Sequence, residues 1–103
     1  MSGYAHAYVH RGSIGNAAGA RAFIAATEPE IEQLYARGTI EGYQLAYVDS
    51  AEEAEKELVL TSRVAGLVAE RFPYVYVRIQ PKEGDPGDVF DARLAALDCP
   101  RIA

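Results

Sequence analysis

The sequence has no tryptophan and a single cysteine, Cys99. One cysteine can form neither an intrachain disulfide nor a cysteine-based zinc site, so neither kind of cross-link is expected to hold this chain together. No apolar run approaches the roughly 20 residues of a membrane span, and the N-terminus lacks the basic-then-apolar pattern of a signal peptide. These absences predict a soluble, cytoplasmic protein that makes no membrane contact.

Basic residues are also scarce. Ten Lys and Arg stand against 15 Asp and Glu, which gives a net charge of −5. A protein that binds the phosphate backbone of nucleic acids needs a basic face, so general nucleic-acid binding is disfavoured. With 103 residues, of which 50% are hydrophobic and 24% charged, the chain has a globular composition and the length of one domain, residues 1–103.

Hydrophobic periodicity predicts an α/β fold with the element order β-α-α-β-α-β-α. Side chains alternate along 4–11, 43–48 and 74–79 with the two-residue period of a strand. Helices are expected through 26, over 27–38, over 51–72 and over 88–97, with capping boxes at 27–30 and 50–53. Asn16 or Ser13 caps the first helix and Asp88 the last. The helical connections are long enough for parallel crossovers, and the expected core is a three-stranded sheet packed on helices.

Six of the seven tyrosines fall on the predicted strands. Alternation puts the tyrosines of each strand on one face, together with histidines in the first strand, Leu45 in the second and Arg78 in the third. Small apolar residues occupy most of the other face. A ring that is half covered while its hydroxyl stays in water suits a contact surface. The interface candidates are Tyr4, His6, Tyr8, His10, Tyr43, Tyr47, Tyr74, Tyr76 and Arg78.

The leading interpretation of this face is a non-enzymatic protein-binding or regulatory module that self-associates, most simply as a homodimer. Tyrosine and arginine often supply the interface hot spots, which would here be Tyr8, Tyr47, Tyr76 and Arg78. Two alternatives stay open. The tyrosines can instead pack under the helices with only their hydroxyls at the rim, or the face can be a stacking platform for a small ligand or base.

A glycine-rich loop between the first strand and the first helix suggests a different function. Backbone N–H groups at such a position can hold an anion. The candidate residues are Arg11, Gly12, Ser13, Gly15 and Asn16. The spacing differs from the dinucleotide fingerprint, and no lysine follows as in a phosphate loop. The alternative function is therefore a binding protein or enzyme for a small molecule or phosphate ligand, while a tight turn and close helix packing explain the glycines equally well.

Catalytic and metal chemistry find little support. His6 and His10 share a strand face but have no third ligand at a known spacing, so no metal site is expected. No nucleophile with a partnered base is identifiable, so no catalytic residue and no cofactor is assigned. Nothing in the sequence around Cys99 lowers its pKa, which predicts an inert thiol.

Residues 74–102 resemble the opening of a serine recombinase (resolvase) catalytic domain. The strand sequence YVRIQ at 76–80 and the later DARLAALDCPRI at 91–102 are similar to that family's Y-x-R-[VI]-S strand and its Q-x-x-A-L and G-C-x-R-I segments. The resemblance places Arg78 at the family's strand arginine. Gln80 stands where the family has its nucleophilic serine, so the resemblance implies a fold fragment without recombination chemistry.

The overall order, with Pro73 just before the third strand, is also similar to a thioredoxin or glutaredoxin fold. That family carries its redox dithiol at the start of the first helix, where this chain has residues 12–16 and no cysteine. The resemblance implies a domain that binds other molecules without thiol exchange.

Overall fold

A computed structural model describes residues 6–56, 66, 68, 70–82, 84 and 87–102. It confirms the small α/β domain, and among these residues three strands and three helices with defined bounds follow in the order β-α-β-α-β-α. The elements are β1 (His6–His10), α1 (Ala17–Ala36), β2 (Ile40–Val48), α2 (Ala51–Lys56), β3 (Tyr74–Pro81) and α3 (Asp88–Ala95), with a 3-10 turn at Arg11–Ser13. The predicted continuation of the third helix over 57–65 lies outside the described residues, as does Tyr4.

The last strand in sequence lies in the middle of the sheet. The strand order is β1-β3-β2, and β3 pairs antiparallel with both neighbours. It follows that β1 and β2 run in the same direction, joined by α1 as the expected crossover. They are not adjacent, however, because β3 is inserted between them with the opposite direction.

Helix α1 replaces the two short helices expected on either side of Thr27. It continues from Ala17 to Ala36 with Pro29 inside it. Its buried face crosses the proline without a break, through Ala20, Phe23, Thr27, Ile31 and Leu34. Because that face packs on the sheet along its whole length, its burial outweighs the one backbone hydrogen bond that proline removes. The predicted break between two helices at Thr27 was therefore wrong.

Two of the four predicted helix caps are present, and the capping box at Thr27 lies inside α1. The side chain of Asn16 accepts a hydrogen bond from the backbone N–H of Gly19 at 3.0 Å, and the hydroxyl of Ser50 accepts one from Glu53 at 3.0 Å. The cap at Asp88 was wrong, because the N-cap residue of α3 is Gly87 in a left-handed conformation with φ 77°. A side chain at Gly87 would overlap the ring of His6, which also requires glycine there.

Both faces of the sheet are covered, each by its own core. The α1 face carries β1 residues 6, 8 and 10, β2 residues 43, 45 and 47, and β3 residues 75, 77 and 79, and it packs under α1 and α3. The opposite α2 face carries Ala7, Val9, Val48, Tyr74 and Tyr76 against Ala54 of α2 and Val68. Ala54 and Val68 belong to the predicted apolar stripe of the third helix, and both are buried.

The two edges of the sheet differ. The C-terminal segment lies along the outer edge of β1, where the N–H of Ile102 donates to the carbonyl of Ala7 at 2.7 Å and Tyr8 forms a β-bridge with Arg101. On the other side, β2 pairs only with β3 within the part of the chain that the structure describes.

No helix among the described residues is long and apolar enough to cross a bilayer.

Two glycines in helical segments make a test of packing at the start of α1. A methyl group added at Gly19 would lie 2.7 Å from the carbonyl oxygen of Gly12, whereas one added at Gly66 meets nothing within 4 Å. We expect Gly19→Ala to lower the free energy of unfolding by about 1–3 kcal/mol through overpacking. Gly66→Ala should raise it by about 0.5–1 kcal/mol by removing backbone freedom from the unfolded chain. Urea denaturation measures both, and equal effects at the two sites would contradict this account.

Candidate functional site

The strand tyrosines do not share one surface. Cross-strand pairing opposes Tyr8 to Val77 and Tyr47 to Val75, while Tyr76 opposes Val9 and Ala46. Tyr8, Tyr43 and Tyr47 therefore lie on the α1 face, and Tyr74 and Tyr76 on the α2 face. The prediction of a single tyrosine-bearing face was wrong. The register places the tyrosines of β1 and β2 opposite aliphatic residues of β3, so the tyrosines of β3 lie on the other face of the sheet.

Burial removes several predicted contact residues from the surface. His6, Tyr8, Tyr74 and Tyr76 are all buried. Two of the four expected hot spots, Tyr8 and Tyr76, are thus core residues. Their rings are buried as the alternative interpretation expected, but Tyr8 has no exposed surface, so its hydroxyl does not reach the rim. Of the predicted set, Tyr43, Tyr47 and His10 are half-buried and Arg78 is exposed.

The strand tyrosines that are only half-buried lie on β2, which pairs only with β3 among the described residues. From Tyr43 to Tyr47 every residue of this strand is half-buried, and on its α1 face Tyr43, Leu45 and Tyr47 only flank the core. The guanidinium carbon of Arg21 in α1 lies 5.9 Å from the centre of the Tyr47 ring, within the range of a cation–π contact. Arg78 stands on the other face, paired with Gln44 across the strands.

An aromatic corner lies at the opposite end of β2 from Arg21. The rings of Tyr35 in α1 and Tyr43 in β2 are 5.8 Å apart between centres and meet at 65°. They line an open groove of about 410 Å³ with Glu28 and Glu41. We call the two rings and this groove the Tyr35–Tyr43 corner.

The electrostatics of the corner are negative. Partial burial raises the pKa of Tyr43, and the carboxylates of Glu32 and Glu28 raise it further. A phenol whose ionisation is opposed in this way stays neutral, and its surroundings disfavour any added negative charge. The corner is suited to a cation and not to a phosphate.

Asp91 organises a polar cluster on the other side of the domain. Its carboxylate accepts a hydrogen bond from the Tyr8 hydroxyl at 2.6 Å and one from Arg101 at 3.1 Å, and it lies 3.8 Å from Nδ1 of His6. Burial raises the pKa of Asp91, but the hydrogen bonds from Tyr8 and Arg101 and the charge of Arg101 outweigh it, so the pKa lies below its ordinary value. The cluster ties the C-terminal segment to β1 and α3.

His10 and Ser13 form a second polar pair. Nδ1 of His10 is hydrogen-bonded to the hydroxyl of Ser13, which is fully buried, and the imidazole stacks on Phe23 with centroids 3.9 Å apart. Burial lowers the pKa of His10 against the opposing charge of Asp98. A serine enclosed in this way cannot meet a substrate, so the pair stabilises the turn that precedes α1.

The glycine-rich loop folds on itself. Backbone N–H groups of Ile14, Gly15 and Asn16 donate to carbonyls of the protein, and the Asn16 side chain both caps Gly19 and donates to the Gly12 carbonyl. Gly19 approaches Gly12 too closely for a side chain. Tight turning and close packing account for these glycines, and the geometry gives the anion-binding hypothesis for residues 11–16 no support.

In the part of the chain that the structure describes, the remaining reactive groups form no site. Burial, with a smaller contribution from Asp98, raises the pKa of the buried Cys99 thiol to about 12, so the thiol stays protonated. Among the described residues no three His, Cys, Asp or Glu side chains are grouped as metal ligands.

Comparisons with known proteins find no matching family model, no similar curated protein and no similar solved structure. The resemblances to serine recombinases and to thioredoxins therefore stay predictions.

Sequence reasoning missed the aromatic corner. Tyr35 falls on the helix predicted over 27–38 and was given no role there, yet it is 53% exposed. The signal lay in helical spacing, because Glu28, Glu32 and Tyr35 are separated by four and then three residues and so share one helix face. That Tyr43 would lie beside this face could be known only from the packing of α1 on β2.

The Asp91 cluster predicts a pH-dependent loss of stability. We expect Tyr8→Phe to lower the free energy of unfolding by about 1.5–3 kcal/mol near neutral pH, because the hydroxyl donates to a charged group. A carboxylate whose folded pKa is depressed stabilises the fold above its ordinary pKa and loses that contribution as the pH falls through the folded value. The difference between wild type and variant should therefore shrink below about pH 4.

Urea denaturation across this pH range measures the effect. Tyr47→Phe is the matched control, because it removes the hydroxyl from a tyrosine that does not contact Asp91. A Tyr8→Phe deficit that is the same at acid and neutral pH would contradict the role of the Asp91 carboxylate.

Proposed function

We propose that this protein is a protein-binding module that pairs an extended strand with the open edge of β2, and that its simplest partner is a second copy of itself. The observation that carries the proposal is the difference between the two sheet edges. The outer edge of β1 is covered by the C-terminal segment, whereas β2, which is nine residues long, forms a strand ladder with β3 alone among the described residues.

The sequence of β2 supports strand pairing. Proteins usually protect an exposed edge strand with lysine, proline or an inward-pointing charge. Residues 42–48 contain neither charge nor proline, and the single charged residue of the strand, Glu41, lies at the register shift between Ile40 and Gly42. An edge of this length and composition is a template for another strand.

The charge distribution supports pairing between identical copies. Arg21 lies at the Tyr47 end of β2, and Glu28, Glu32 and Glu41 surround the Tyr43 end. A two-fold axis that passes between the two β2 strands, beside the middle of each, pairs them antiparallel and brings opposite ends together. Each basic end then faces an acidic end of the other copy, which is the complementarity that stabilises and orients an interface.

The side chains along β2 match the composition of an interface core. Three side chains on the α1 face of β2 are already partly packed against the core, namely Tyr43, Leu45 and Tyr47. Burying their remaining surface in an interface therefore costs little additional side-chain entropy. Tyrosine is enriched in such cores. The result would be a continuous six-stranded sheet.

A charge at the middle of β2 tests the proposal. Gln44 is the central residue of the strand, and in a two-fold antiparallel pair Gln44→Lys places two like charges near each other and beside Arg78. We expect the dimer dissociation constant to rise by about tenfold or more. Sedimentation equilibrium measures it, with circular dichroism to establish that the variant folds.

Val89→Lys is the matched control, because Val89 is 73% exposed on α3 and away from β2. It adds the same charge and should leave self-association unchanged. Wild-type protein that sediments as a monomer at its highest soluble concentration would exclude the homodimer, and equal weakening by the two lysine variants would exclude the β2 edge.

A further inference from the structure

We propose that the Tyr35–Tyr43 corner is a binding site for an organic cation, either a guanidinium or an alkylammonium group. The site does not depend on pairing at the β2 edge, and it can be tested whether or not the protein dimerises.

The two rings provide the first element of the site. They meet edge to face at 65° with centres 5.8 Å apart, and together they form an aromatic wall of the groove. The face of an aromatic ring carries negative charge and attracts cations within about 6 Å of its centre. The groove of about 410 Å³ is open to solvent and large enough to admit such a group.

Carboxylates provide the second element. Glu28 and Glu41 line the groove, and Glu32 is near enough to Tyr43 to raise its pKa. These side chains surround the rings with negative charge from both α1 and β2, which attracts a cation and repels phosphates and carboxylates. An organic cation fits better than a metal ion, because a hard metal ion needs several oxygen ligands and, among the described residues, only two carboxylates line the groove.

The protein already makes the same kind of contact a short distance along β2. The guanidinium of Arg21 stands over Tyr47, which shares the α1 face with Tyr43 and lies four residues further along the strand. Both tyrosines present a ring beside α1. At Tyr47 the cation comes from the protein's own helix, whereas the equivalent space beside Tyr43 is lined by glutamates and a second tyrosine.

Matched small molecules test the site. Choline and N-butylguanidinium carry the expected charge, and 3,3-dimethylbutan-1-ol has the shape of choline without it. We expect both cations to shift the NMR resonances of Tyr35 and Tyr43 in a saturable way, and the neutral alcohol to produce little change. Added salt should weaken the binding, because the carboxylates are exposed to solvent.

Variants then separate the rings from the carboxylates. Tyr35→Leu and Tyr43→Leu each remove one aromatic face and should weaken choline binding by about two- to fivefold. Tyr43→Phe keeps the ring and should bind nearly as well as wild type. The double substitution Glu28→Gln with Glu32→Gln should weaken binding and reduce its dependence on salt. Because Tyr35 is mostly exposed, Tyr35→Leu keeps the test valid even if Tyr43→Leu fails to fold.

Two outcomes would overturn the proposal. One is an equal response to choline and to its neutral analogue, which would mean that the groove binds apolar groups without regard to charge. The other is unchanged choline binding in both leucine variants. Neither outcome bears on strand pairing, which the sedimentation of Gln44→Lys tests separately.

A further comparison identifies the source of the cation. If Arg21 of a second copy occupies the corner, choline competes with self-association, and Arg21→Gln binds choline more tightly than wild type does. If the cation comes from another molecule, choline leaves the dissociation constant of the dimer unchanged. Both results require a cation site in the corner.

Discussion

The fold depends on the complete enclosure of β3. This strand has a hydrogen-bonded neighbour at each edge and a hydrophobic core on each face, and Val75 and Val77 have no exposed surface. Its apolar residues hold α1 and α3, and Tyr74 and Tyr76 fill the core beneath α2 and Val68. Because the last strand in the chain occupies the middle of the sheet, β1 and β2 cannot form this sheet until β3 has entered it. The elements packed on the two faces are held together through it.

The position of β3 also explains which sequence predictions succeeded. Alternation within a strand is a local property, so the faces within each strand could be assigned correctly from the sequence. Which faces of two neighbouring strands coincide depends on their register, because a shift of one residue moves every side chain of a strand to the other face of the sheet. No local sequence signal determines that register. The tyrosines of β3 therefore face away from those of β1 and β2, although every strand was identified. The cap at Asn16 was predictable for the same local reason.

The errors arose where tertiary burial overrode local signals. The capping box at Thr27 is a genuine helix-start pattern, yet Thr27 is buried in the middle of α1. Packing of the continuous apolar face keeps the helix intact through Pro29. The aromatic corner escaped prediction because its parts lie on two elements, Tyr35 on a helix and Tyr43 on a strand. Helical spacing could align Glu28, Glu32 and Tyr35, but only the packing of α1 on β2 adds the second ring.

The C-terminal segment along the outer edge of β1 limits how far a sheet of this kind can extend by edge-to-edge pairing. A sheet with two free edges can add copies indefinitely and extend into a fibril, whereas a sheet with one free edge ends once that edge is paired. Here the C-terminal segment occupies one edge, through Ile102 and the bridge between Tyr8 and Arg101. The salt bridge between Arg101 and Asp91 holds that segment in place. In the proposed pairing through β2 this segment leaves the assembly no second edge of β1 to extend, so the proposed assembly is a closed pair and not a polymer.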